Sequence, residues 1–295
     1  MAVSTDIHQH LWPAEFLDAL RRRTREPYLD GWTLYTATEL PYELNPAHHD
    51  PVARLGTDED LQQIVLSFSS PVGIEDLPAA EAQPLLDAWH DGVTALGGRY
   101  RGWAAVARVD ADLTGLKHLL QTGFAGLQVP ATWLATPTDL EQLGPVLQLC
   151  QDVGAPVFVH PGPATVKATQ AWWPAVVDYP TQLLAAWWAW HAVGRIMLPD
   201  LRICFAAGAG LAPAHAERYA ARSGQAFGLD RQAFVDTSSY GPRGLDSLIR
   251  VLGIDAVVHG SDRPYADPTD PNAGPEATHA IRVTNPHRLL TGVRL

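Results

Sequence analysis

The stretch STDIHQHLW, residues 4–12, sets His8 and His10 two positions apart in a run that reads as a β-strand. Successive strand side chains alternate faces, so Asp6, His8 and His10 are expected to project together while Ile7 and Leu11 project the other way. Two imidazoles on one face can hold a divalent metal, and they can equally be hydrogen-bonded residues of a polar interior. Two later segments carry related chemistry. In VFVHPG, His160 follows three apolar residues and precedes a Pro-Gly turn; VVHGSDRP ends near Asp262. Read singly, His160 is also a satisfied core residue and Asp262 a turn cap. Together, three neutral imidazole nitrogens and a carboxylate oxygen suit one divalent metal, Zn²⁺ first, with Mn²⁺ or Fe²⁺ also accommodated.

Such residues act only if the fold brings them to one place. Eight short apolar runs bounded by Gly, Pro or Asp read as strands: 6–11, 64–68, 102–107, 126–130, 156–160, 202–207, 233–237 and 255–261. Helical spacing fills the gaps. In 78–96 the residues Leu85, Leu86, Trp89, Val93 and Leu96 form an apolar stripe. After the fourth strand, Thr138 with Glu141 predicts a helix start, and Leu140, Leu143, Val146, Leu147 and Cys150 its buried face. Eight alternations over this length predict an α/β fold, a (β/α)8 TIM barrel forming one domain over residues 1–295, rather than an open doubly wound sheet. The segment from about 30 to 50, DGWTLYTATELPYELNPAHHD, has β-type residues, two Pro breaks and no helical period. It is expected to be a loop or hairpin inserted after strand one, over the barrel mouth. In a barrel the strand C-termini form the working face, so His8 and His10 from strand one, His160 from strand five and Asp262 after strand eight are expected at one rim.

Composition narrows the partners. The 295 residues carry 21 basic and 32 acidic side chains, a formal charge of −11, and the only basic cluster is Arg21, Arg22, Arg23 and Arg25. A phosphate-backbone binder is therefore not expected, and a small-molecule substrate is. No run of eighteen apolar residues predicts a membrane span and no leader pattern an export signal, while two cysteines, Cys150 and Cys204, do not make a disulfide framework. A cytoplasmic protein is the expectation.

The segments DIHQH, VFVHPG and HGSDRP, with the terminal NPHRLL, resemble the amidohydrolase-related proteins grouped with 2-amino-3-carboxymuconate-6-semialdehyde decarboxylase. The likeness runs over nearly the whole chain. It implies that His8, His10, His160 and Asp262 bind one catalytic metal, usually zinc or manganese, and that the protein forms homodimers, as members commonly do. Members include non-oxidative decarboxylases of aromatic and enol acids, hydratases and hydrolases. Many carry a histidine at the end of strand six in a pattern like FAHGGG; here the stretch is CFAAGAG and Ala207 stands there. Alanine shuttles no proton. The first expectation is therefore hydrolysis of a small ester, lactone or amide by metal-activated water, with Asp262 as ligand and catalytic proton acceptor. The alternatives are decarboxylation or hydration of an aromatic or enol acid, with His191, His215 or His259 replacing the missing imidazole, and an inactive metal- or ligand-binding barrel. Arg263 is a candidate anchor for a substrate carboxylate, or the partner of a nearby acid, and Trp172 and Trp173 are candidate walls of an aromatic pocket.

Overall fold

The computed structural model describes residues 2–167, 169–268 and 272–293. The chain enters through β1 (Thr5–Gln9) and the helix Ala14–Arg21, then forms a small antiparallel sheet of β2 (Tyr28–Asp30), β3 (Thr33–Tyr35) and β4 (Tyr42–Glu43). Seven strands follow: β5 (Gln63–Leu66), β6 (Tyr100–Ala104), β7 (Gly126–Pro130), β8 (Val157–His160), β9 (Ile203–Phe205), β10 (Ala233–Asp236) and β11 (Val257–Val258). With β1 they make an eight-stranded parallel sheet in the order β1-β5-β6-β7-β8-β9-β10-β11, with helices in most of the crossovers. The sheet curls shut on itself. Ile7 N donates to His259 O at 3.0 Å, Asp262 N to His8 O at 2.8 Å and His10 N to Arg263 O at 2.6 Å. The protein is a (β/α)8 barrel, and each of the eight strands expected from sequence coincides with one of its staves.

Side chains alternate across these strands between the barrel interior and the helices. Ile7, Val65, Trp103, Phe158, Cys204, Phe234 and Val258 supply one inner residue from each of seven strands and pack as one cluster, with the Trp103 and Phe158 rings stacked at 5.2 Å. Leu66, Leu127, Val159, Phe205 and Val235 face outward and pack with Leu86, Trp89, Leu140, Leu147 and Trp187 of the surrounding helices. Each fully buried Leu, Val or Phe contributes about 1.5–3 kcal/mol of transfer free energy, which makes these two layers the main source of stability.

Two local expectations need correction. Strict alternation in β1 fails, because its register against β5 slips: Asp6 faces Ile64 and Gln9 faces Leu66, three residues against two. The Asp6 Oδ1 acceptor takes His8 N at 3.0 Å and stabilises this bulge. Ile7 therefore turns into the inner cluster, Leu11 joins the outer one, and Asp6 hydrogen-bonds Gln9 and Ser261 N away from the imidazoles. The helix after β7 spans Pro137–Asp152 and is capped by Thr136 rather than Thr138; Thr136 Oγ1 accepts from Asp139 N at 3.2 Å and donates to the Asp139 carboxylate at 2.6 Å. Its buried face is the expected one. Among the described residues, no helix is long and apolar enough to cross a membrane.

Candidate metal centre

The four residues singled out by type and spacing meet at the C-terminal rim. His8 lies in β1, His10 just beyond it, His160 ends β8, and Asp262 follows β11 in a left-handed conformation, φ 59°. Each imidazole has its δ nitrogen engaged away from the centre. His8 Nδ1 donates to Asp236 Oδ2 at 2.7 Å and His160 Nδ1 to the Pro161 carbonyl at 2.9 Å. His10 Nδ1 lies 2.9 Å from Ser69 Oγ, which also accepts the Trp12 indole N–H. The acceptors at His8 and His160 fix the tautomers that leave their ε nitrogens with inward lone pairs, and His10 does the same when its Nδ1 donates to Ser69 Oγ. His8 Nε2 and His10 Nε2 are 3.2 Å apart and lie 3.4 and 3.1 Å from Asp262 Oδ1. One donor atom from each of His8, His10, His160 and Asp262 falls within 4.8 Å of all the others.

Inward lone pairs at such separations repel unless a cation or proton stands between them. Ligands about 2.0–2.2 Å from one tetrahedral ion are about 3.3–3.6 Å from each other, close to the 3.1–3.4 Å among His8, His10 and Asp262, so the donor set suits a divalent metal in chemistry and these three donors in spacing. The electrostatics agree. Burial drives the His10 and His160 imidazoles below their ordinary range, which keeps them neutral and able to ligate. His8 is also penalised by burial, but Asp262, Asp236 and Asp6 together raise it. Asp262 is held below the usual carboxylate range: burial opposes this, and the His8, His10 and His160 imidazoles outweigh it. Its side chain retains 21% exposure, toward the cavity.

The support behind these residues is specific. Asp236, the last residue of β10, holds His8 through Oδ2, while its Oδ1 accepts Ala207 N at 2.7 Å, Ser238 N at 3.0 Å and Ser238 Oγ at 2.7 Å. A carboxylate behind a ligating histidine fixes the tautomer and raises the basicity of the ring. Gly260 permits this packing, since a Cβ there would sit 2.8 Å from Asp236 Oδ2 and 2.9 Å from His8 Cβ. Ala207 lies at the rim with φ 44° and opens a run of left-handed residues through Leu211; its side chain brings no hydrogen-bonding group to the site.

Above the donors is a cavity of about 420 Å³. Its walls include Trp12, Leu34, Leu40, Val72 and Leu183, with Tyr42, Tyr179, Tyr240 and Tyr265 as amphipathic surfaces, so the small sheet β2–β4 and the loop between β3 and β4 form part of the enclosure. The other sequence candidates are elsewhere. Arg263 donates to Asp58 and to Thr57 O and does not line the cavity, so its role is the pairing alternative and not a carboxylate anchor. Trp172 and Trp173 are 54% and 39% exposed; their neighbours Ala171 and Pro174 line the wall, and they do not. His191 is turned into helix packing, its Nδ1 bonded to Trp187 O and its ring against Trp187 and Phe227. His215 is exposed outside the cavity, and His259 has its Nε2 3.7 Å from Asp6.

Sequence reasoning missed four groups. Asp236 stands at the end of a recognised strand, where the strand-end rule could have flagged it. Ser69 and Tyr265 have no distinguishing spacing. Glu39, in the loop between β3 and β4, accepts a hydrogen bond from Tyr179 Oη across 140 residues of chain, a pairing with no sequence signal.

Comparison with known proteins fits this geometry. A 2-amino-3-carboxymuconate-6-semialdehyde decarboxylase of Dictyostelium discoideum is 32% identical over 98 residues, a match spanning 32% of this chain and 27% of that protein. The IDCase of Metarhizium anisopliae superposes with a TM-score of 0.74 at 18% identity, covering 98% of this chain and 97% of the other. The 5-carboxyvanillate decarboxylase of Novosphingobium aromaticivorans, complexed with manganese and 4-hydroxy-3-methoxy-5-nitrobenzoic acid, gives 0.69 at 16% identity, covering 98% and 96%. At these identities the structural likeness concerns the fold. The family model described as Amidohydrolase matches residues 5–291, and with that span the chain belongs to the amidohydrolase family.

Proposed function

We propose that this protein is a metal-dependent, non-oxidative decarboxylase of an aromatic carboxylic acid, with His8, His10, His160 and Asp262 as the ligands of a single divalent ion. The observation that carries the reading is the placement of these four donors at the floor of a cavity whose walls are largely apolar and aromatic. Manganese or zinc bound there would act as a Lewis acid toward the oxygens of the acid. The decarboxylase names of the curated relative and of the manganese-bound structural neighbour support this reaction over hydrolysis, which the sequence alone ranks first.

The chain's own residues do the remaining work. The apolar wall withholds water from the substrate carboxylate, which favours its conversion to neutral carbon dioxide. As the carbon–carbon bond breaks, its electron pair stays on the ring carbon, and that carbon takes a proton; the net change is acid anion plus proton to arene plus carbon dioxide. Asp262, partly open to the cavity, is the acid–base group that transfers this proton. Asp236 holds His8 in the tautomer that keeps Nε2 inward, and Ser69 orients His10.

Hydrolysis is the second reading: Ala207 leaves the end of β9 without an imidazole, and attack by metal-activated water with Asp262 as proton acceptor needs none. The test is manganese- or zinc-loaded protein offered a panel of hydroxybenzoic acids, with carbon dioxide release followed by a coupled assay, beside an ester and lactone panel followed by acid production. Carbon dioxide from at least one acid, absent with Asp262→Asn, is the expected result. Turnover of esters or lactones with no carbon dioxide from any acid would transfer the proposal to hydrolysis.

A further inference from the structure

Among the described residues, no lysine or arginine lines the cavity, and apart from Asp262 its only acidic side chain is Glu39. The loop between β3 and β4 carries Glu39 to the wall, where Glu39 N donates to Thr36 Oγ1 at 3.1 Å and Oε1 accepts from the Tyr179 hydroxyl. Among the described residues Oε2 takes no hydrogen bond, so the carboxyl presents a spare acceptor. We propose that Glu39 is the specificity determinant of the site: the substrate bears a single carboxylate, which goes to the metal donors, and a hydrogen-bond donor such as a phenolic hydroxyl that reaches Glu39, while a second carboxylate is excluded.

This rests on the acid-substrate reading above and adds what that reading leaves open. A second carboxylate would enter a wall that offers it no cation and one acid, and an uncompensated like-charge contact in an enclosed site is strongly unfavourable. A phenol at the same place would complete the lone pairs of Glu39 without adding charge. Burial raises the Glu39 carboxyl above its ordinary range; the Tyr179 hydrogen bond opposes this and Asp178 adds to it, so a further anion would meet a group already short of stabilisation.

The test uses binding, so it does not depend on turnover. Manganese-loaded wild-type protein and Glu39→Gln are titrated calorimetrically at about pH 8 with 3- and 4-hydroxybenzoate and with the matched diacids isophthalate and terephthalate. The side-chain amide introduced by Glu39→Gln keeps an acceptor for the Tyr179 hydroxyl, and circular dichroism with metal analysis confirms that the variant is folded and loaded. In wild type at least one hydroxybenzoate binds at least tenfold more tightly than its matched diacid, and in Glu39→Gln that ratio shrinks at least fivefold. Diacids binding as tightly as hydroxybenzoates in wild type, or a ratio unchanged by Glu39→Gln, would overturn the assignment, and carbon dioxide release from a hydroxybenzoate would then leave the decarboxylase reading standing. Failure of all four acids to bind, with no carbon dioxide released, would overturn both.

Discussion

Replacing Asp236 by Asn alters one atom at the back of the metal site, and the hydrogen-bond inventory decides the outcome. Asp236 Oδ1 accepts three donors, from Ala207 N, Ser238 N and Ser238 Oγ, and Oδ2 accepts one, from His8 Nδ1. Asn has a single side-chain oxygen. Turning its NH₂ toward Ala207 and Ser238 would oppose donors to two backbone N–H groups, so the NH₂ faces His8 instead. His8 Nδ1 must then accept, which moves the ring proton to Nε2, the atom that lies 3.2 Å from His10 Nε2 and 3.4 Å from Asp262 Oδ1. A protonated Nε2 cannot ligate. Loss of such a supporting contact lowers metal affinity by about 10–100-fold, or about 1.4–2.7 kcal/mol. The assay is titration of metal-free protein with chelator-buffered Mn²⁺ or Zn²⁺, with a thermal melt to show that the barrel is intact. An affinity for Asp236→Asn within twofold of wild type would refute the argument that Asp236 sets the His8 tautomer.

Three further outcomes follow from the same structure. Gly260→Ala would force a Cβ to 2.8 Å from Asp236 Oδ2 and is expected to destabilise the protein by about 1–3 kcal/mol in urea unfolding while weakening metal binding; a neutral substitution would show that the His8–Asp236 pair has room to move. Glu75 is buried, hydrogen-bonded by Ser70 and pushed by burial up to about 7, so the folded state holds its proton after the unfolded state has lost it. Stability therefore falls as pH rises between about 4.5 and 7, and Glu75→Gln should remove that loss, gaining up to about 3 kcal/mol above pH 7 and nothing below pH 4.5; parallel pH–stability curves for the two proteins would contradict this. Cys150 and Cys204 are buried, and burial pushes the Cys150 thiol up to about 12, so neither should react with Ellman's reagent until the protein unfolds, and rapid labelling of the native protein would count against the core described here.

The barrel was legible because its signal is local: apolar runs bounded by breakers set the strands, and a barrel rim follows from their number. His8, His10, His160 and Asp262 were legible for the same reason, each being a polar residue at a strand end. What the sequence did not reveal was direction and partnership. Arg263 is adjacent to Asp262, yet Asp58, more than two hundred residues earlier, claims its guanidinium. Trp172 and Trp173 fall in the right loop and point out of the wall that Ala171 and Pro174 form. The β1 bulge defeats simple alternation because Asp6 binds His8 N in its own strand. The Glu39–Tyr179 contact joins the loop between β3 and β4 to a barrel helix, and no periodicity encodes it.

The central claim, that the four convergent side chains form a metal site, is tested most directly by elemental mass spectrometry on protein purified without chelator or histidine tag, beside His160→Ala. One equivalent of manganese or zinc per wild-type chain, and a large loss in the folded variant, is the predicted result. Wild-type protein that is folded, metal-free and unable to take up either ion would contradict the claim.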